Sequence, residues 1–239
     1  MKTTRVGLPL LWMCVAGQLG AGDFWQSKPY TQWNSEDVLT MLKESPWAKD
    51  TTTKIRKVKG EEDTQSTDSQ RLGLNRGVNG GVGATTGLNS GTPNMAGTPD
   101  PRVTVRWDSA LPVRQALSKQ GSAASADKPA LEAAPASYIV TVADLPRAGE
   151  YMGAMVAAAV NRLDQLIAAT SITIKGKPAL TPEKVEHGRD GTSLLFTFPR
   201  TSPISLDDKE VEFATRIGAM EVRRKFKLKD MVYQGKLEL

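Results

Sequence analysis

From Glu210 to Ile217, and again over residues 220–229, apolar and charged residues alternate, and only Gly218-Ala219 separates the two runs. Period-two alternation marks half-buried strands, and a two-residue link with glycine first suits a type II′ turn, whose first central residue needs positive φ. The turn also fixes the register. Cross-strand partners must have numbers summing to 437, as Ile217 and Met220 do. Arg216 then faces Glu221, Glu212 faces Lys225 and Glu210 faces Lys227, while Val211 and Phe226 share the opposite side with Ile217 and Met220. A slip of one residue would mix the two faces, so turn and charge pattern agree on one pairing.

Other segments extend this hairpin into a sheet. Val103-Thr104-Val105-Arg106-Trp107 alternates in the same way, and Tyr138-Ile139-Val140-Thr141-Val142 crowds β-branched and aromatic residues together. Residues 171–175 and 193–198 predict two more strands, separated by a turn-rich stretch over 176–191. Residues 150–169 carry Met152, Met155, Val156, Ala159, Val160, Leu163, Leu166 and Ile167 at helical spacing, with Arg162, Asp164 and Gln165 on the wet side. Leu111 to Lys119 predicts a short helix entered through Pro112. The fold class expected is α+β: a mainly antiparallel sheet packed on one long amphipathic helix.

Residues 23–59 form an aromatic-rich segment with a short helix in it. Asn34 or Ser35 can cap the helix, Glu36 and Asp37 place negative charge in its first turn, and Val38, Leu39, Met41 and Leu42 make its apolar stripe before Pro46. Trp33 and Val38 stand at staple distance around the cap. Thr51 to Lys59 reads as one exposed strand. Residues 60–101 are rich in Gly, Asn, Thr and Ser with almost nothing large to bury, which predicts a disordered linker. The remainder, 102–239, is the α+β domain, interrupted by a flexible loop at 121–136 made of Ala, Ser and Pro.

The first 22 residues have the layout of a secretory signal peptide: Lys2 and Arg5, then an uncharged apolar run from Val6 to Ala16, then small residues at Gly20 and Gly22. The run is too short for a bilayer core of roughly 30 Å, so it is not an anchor. The mature chain would start at Asp23 and reside in the periplasm, cell envelope or outside the cell. Cys14, the only cysteine, would leave with the leader, which excludes disulfides, thiolate metal sites and a cysteine nucleophile. Losing Lys2 and Arg5 lowers the formal charge from +5 to +3, too near neutral to call for a nucleic-acid partner.

No pattern assigns a catalytic residue, a metal or a cofactor. The basic run Arg223, Arg224, Lys225, Lys227, Lys229 finds glutamates across the hairpin. Gly81-Val82-Gly83 lacks the strand, helix and Lys-Ser/Thr of a phosphate loop. His187, the only histidine, sits among turn residues without a second ligand or a positioned nucleophile. Asp207 and Asp208, with Glu210 and Glu212, are the carboxylates that a hydrolase would use, although two of these acids already have lysine partners. Trp25, Tyr30, Trp33, Trp47 and Trp107 remain as residues able to stack on a glycan or anchor a protein partner, or else to pack against the sheet.

Several segments resemble a family of exported soil-bacterial proteins of unknown function. They are Trp25-x-x-Lys28-Pro29-Tyr30-x-x-Trp33, Ser45-Pro46-Trp47-Ala48, Val105-Arg106-Trp107-x-Ser109-Ala110-Leu111-Pro112-Val113-Arg114 and Phe198-Pro199-Arg200. Asp207-Asp208-Lys209-Glu210-Val211-Glu212-Phe213 and the tail from Lys225 onward, beginning Lys-Phe-Lys-Leu-Lys-Asp-Met, complete the set. A Gly-Trp-x-Thr-Asp motif that labels related exported proteins is missing. The resemblance implies export and a shared fold, and supplies no activity. The expected function is a non-enzymatic binding or scaffolding module for an envelope protein or glycan, with a carboxylate-dependent hydrolase as the alternative.

Overall fold

The computed structural model of the chain describes residues 23–55, 100–121, 131–147, 149–150 and 153–239. The described helices are α1 (Phe24–Ser27), α2 (Ser35–Lys43), α3 (Leu111–Lys119), α4 (Gly153–Val160) and α5 (Leu163–Ala168). The strands of the first half are β1 (Ala48–Thr52), β2 (Lys54–Ile55), β3 (Arg102–Trp107) and β4 (Ser137–Ala143). Those of the second half are β5 (Ser171–Ile174), β6 (Lys184–His187), β7 (Leu194–Pro199), β8 (Glu210–Ile217), β9 (Met220–Lys227), β10 (Val232–Tyr233) and β11 (Lys236–Leu237). All strand pairs are antiparallel, and the class is α+β.

The strands make two main sheets, where the sequence suggested one. The first runs β1-β3-β4-β7-β6 and the second β2-β9-β8-β5. They face each other through aromatic rings: Phe196 and Phe198 of β7 meet Phe213 of β8 at centroid distances of 5.5 and 6.4 Å, and Trp107 of β3 meets Phe226 at 6.0 Å. The hairpin β8–β9 has the register that its turn requires, Ile217 opposite Met220 through to Glu210 opposite Lys227. Gly218 has φ +60° while Ala219 is not left-handed, as a II′ turn demands.

The aromatic N-terminal segment supplies an edge strand to each sheet. β1 pairs with β3, and β2 pairs with β9. Thr53, fully buried, switches the chain between sheets, its N–H and its hydroxyl each donating to the Pro101 carbonyl at 2.9 Å. α2 starts where its cap predicts. Asn34 accepts from the Asp37 N–H and Asp37 accepts from the Asn34 N–H, both at 2.8 Å, a reciprocal capping box.

The long helix over 150–169 is a correction: the structure holds two shorter helices, α4 and α5, broken at Asn161-Arg162. Arg162 leaves the helical region at φ −109°, ψ 67°, and its N–H closes a tightened turn onto Ala159. An apolar stripe specifies a face and not straightness. Here Val156 and Leu166 enter the core while Met155 stays 46% exposed. The leader at 1–22 lies outside the described residues, as does the linker apart from residues 100–101. Of the 121–136 loop, residues 122–130 lie outside them; Leu131 is buried, and Arg114 donates to the carbonyls of Leu131 and Ala133.

Candidate functional site

Four of the five aromatics singled out in the sequence are core residues: Trp25, Trp33, Trp47 and Trp107 are between 0% and 6% exposed. Edge-to-face contacts chain Phe24, Trp25, Trp47 and Tyr233 at 5.2, 5.9 and 6.4 Å, and Phe24 also meets Trp33 at 5.4 Å. Trp33 Nε1 donates to the Lys28 carbonyl at 2.9 Å and Trp47 Nε1 to the Glu238 carbonyl at 2.8 Å. Trp107 stands apart from this chain, between Tyr138 and Phe226. A ring whose faces are packed inside the protein has none left for a sugar. Tyr30, half-buried against the edge of Trp33, is the member of the set that keeps accessible surface.

The acidic candidates divide in the same way. Asp208 receives Lys177 Nζ at 2.7 Å and the Ser205 N–H at 2.8 Å, closing a capping box on the turn Leu206–Asp208. The Lys177 and Ser205 hydrogen bonds hold its pKa below the ordinary value, favouring the charged form. Asp207 beside it is exposed. His187 is also exposed, at the end of β6, a strand that the turn-rich reading of 176–191 missed. Among the described residues no group of His, Cys, Asp and Glu could hold a metal ion.

Sequence reading overlooked a charged cluster on the first sheet. Arg106 grips Asp108 through Nε and Nη2, and the Thr141 hydroxyl donates to the same carboxylate at 2.6 Å. The Thr104 hydroxyl donates to Asp144 at 2.7 Å, and Lys43 of α2 lies 3.5 Å from that carboxylate. Asp144 itself is a non-glycine residue at φ +61°. Burial opposes charge on Arg106, but Asp108, with Asp144 and Asp190 behind it, raises its pKa above the ordinary value. Asp190 is lowered: burial acts against its charge, and the Ser193 hydroxyl, the N–H groups of Thr192 and Ser193, and Arg106 outweigh that. The signal was present, since Thr104, Arg106 and Asp108 alternate with the apolar positions of β3. The cluster ties β3, β4, α2 and the loop after β6 together.

The segments that carry the resemblance have structural work in the same sense. Ser45, fully buried, donates to the Met41 carbonyl and accepts from the Trp47 N–H. Ser109 accepts from the Ile139 N–H at 3.0 Å, and Arg114 donates to the Ser109 carbonyl.

The wet face of β8–β9 bears a shallow cavity of about 170 Å³ lined by Ala169, Ala214, Thr215, Arg216, Glu221 and Arg223. The ion pairs here run diagonally. Lys225 reaches Glu210 at 2.9 Å and Arg223 reaches Glu212 at 3.0 Å, whereas Lys225 is 3.8 Å from the Glu212 that it directly opposes. Among the described residues no helix is long and apolar enough to cross a membrane. Comparison with protein-family models, curated proteins and solved structures yields no match to the chain.

Proposed function

We propose that this chain is an exported protein of the bacterial periplasm or envelope that binds or scaffolds a partner, an envelope protein or a glycan, without catalysing a reaction. The observation that carries the non-catalytic reading is the fixed role of Asp208: a carboxylate committed to Lys177 and to its own turn cannot cycle protons without opening that turn. Export rests on the charged and apolar pattern of residues 1–16 and on the resemblance to exported proteins.

The test uses the native envelope. Intact mass should show a chain beginning near Asp23, and retention of Met1 would contradict cleavage on export. Crosslinking there should capture the same partner with the wild type and with the D207N/D208N variant. A hydrolytic activity that a folded D207N/D208N protein loses would overturn the proposal in favour of a carboxylate hydrolase.

A further inference from the structure

Alternation along β8 puts Glu210, Glu212, Ala214 and Arg216 on the wet face, and along β9 it puts Glu221, Arg223, Lys225 and Lys227 there. Ala214 is the one short side chain in this field of long ones. The shallow cavity of about 170 Å³ is lined by Ala214, by Ala169 at the end of α5, and by Arg216, Arg223 and Glu221. At roughly 30 Å³ per molecule it holds about five waters, the space of a small acid or of one acidic side chain.

The ladder sets Arg216 directly opposite Glu221, yet the ion pairs do not follow it. Arg223 takes Glu221 through Nε at 2.5 Å and Glu212 through Nη1 at 3.0 Å, which leaves its Nη2 for another acceptor. Arg216 is exposed and, among the described residues, has no ion pair and no side-chain hydrogen bond. An isolated surface cation is ordinarily just solvated. Here the walls of one cavity bring two guanidinium groups to the same small volume.

We propose that this cavity binds a carboxylate group, gripped by the guanidinium fork of Arg216 with Arg223 Nη2 as a further donor. A planar carboxylate matches the fork with two parallel hydrogen bonds. The lining carries two cations and one acid, so one further negative charge balances it, whereas a phosphate would set a charge approaching −2 beside Glu221. The methyl groups of Ala169 and Ala214 accept a short apolar body next to the charged end. The site does not depend on where the protein resides or on whether it is an enzyme. The competing account is that Arg216 is a solvated cation that keeps the sheet face soluble.

The amide and methyl resonances of Ala214 in the full chain are followed against propionate, with ionic strength held constant by chloride. They should shift saturably in the wild type, and the apparent affinity should fall by about tenfold or more in R216Q and severalfold in R216K, which keeps the charge and loses the fork. K227Q removes the same charge from the far end of the same face and should respond as the wild type does. A second arm titrates the capped peptide acetyl-Gly-Asp-Gly-amide. Tighter binding of the peptide than of propionate places the carboxylate on a polypeptide partner; the reverse order places it on a free small acid. Absence of saturation with both probes, or equal responses in wild type and R216Q, overturns the site and leaves Arg216 a solvated cation. Inorganic phosphate that displaces propionate at lower concentrations than propionate itself requires would overturn the carboxylate class.

Discussion

Trp47 joins two distant parts of the chain: it meets Trp25 edge-to-face, and in the tail it meets Tyr233 edge-to-face and donates its indole N–H to the Glu238 carbonyl. It is fully buried, so Trp47→Ala should cost about 3–5 kcal/mol in urea unfolding, as large-to-small core changes do. Trp47→Phe keeps a ring and orphans the carbonyl, and should cost less. Asp208 is the second residue with a definite expectation. Asp208→Asn keeps an acceptor oxygen for the Ser205 N–H but removes the charge that answers Lys177, for about 0.5–1 kcal/mol near neutral pH. Its folded pKa lies below its unfolded value, so the stability it adds is in place above about pH 4 and is lost as pH falls through the folded pKa. Wild type and Asp208→Asn should therefore converge in stability on acidification, and a gap that stays constant down to low pH would contradict the pair. Neither role was legible from local sequence. For Trp47 the sequence left stacking on a ligand and packing in the core both open because its partners are remote, Glu238 being 191 positions away.

At the scale of elements, legibility tracked how local the deciding interactions are. β8–β9 follows from its own turn and pattern, and α3 spans Leu111–Lys119 with proline in its first turn, as expected. β6 offers only Val185 as an inward apolar residue between Lys184 and Glu186, too little alternation to register. α4 and α5 looked like one helix because a period carries no information about a break. The hairpin supports two expectations. A Cβ on Gly218 would sit 3.3 Å from that of Ala159 at a left-handed φ, so Gly218→Ala should cost about 1–2 kcal/mol in chemical unfolding. Lys225→Glu should lower the chemical-unfolding midpoint slightly, as the loss of an exposed cross-strand ion pair does. Adding Glu210→Lys should restore most of that. Adding Glu212→Lys should restore less, because it sets a new cation beside Arg223. Equal rescue by the two would contradict the diagonal pairing. If Lys225→Glu leaves folding untouched but abolishes partner binding, the wet face of β9 is a recognition surface.

Across the whole molecule the two ends of the described chain meet. Gln26 donates to the Val232 carbonyl, Trp47 to the Glu238 carbonyl, and Lys119 of α3 to the carbonyls of Thr31 and Trp33, so the N-terminal segment is tied both to the tail and to α3. The sequence set an aromatic-rich N-terminal segment apart from the α+β domain by a linker. The structure gives that segment two strand pairings and several buried tryptophans, a stake that neither its composition nor its position revealed, because β1 carries Lys49 where an edge strand would show an apolar residue. These contacts tie residues 23–55 to the rest of the described chain independently of the covalent connection, and loop-closure entropy changes slowly with loop length. Cutting the chain once within 60–99 should leave two fragments that co-elute in gel filtration and unfold together in a single transition. The nicked protein should become less stable as it is diluted, since its unfolding now separates two chains. Fragments that part under native conditions, with 100–239 still folded and its tryptophan emission unchanged, would show that the N-terminal strands are an accessory and that the core closes without Trp47.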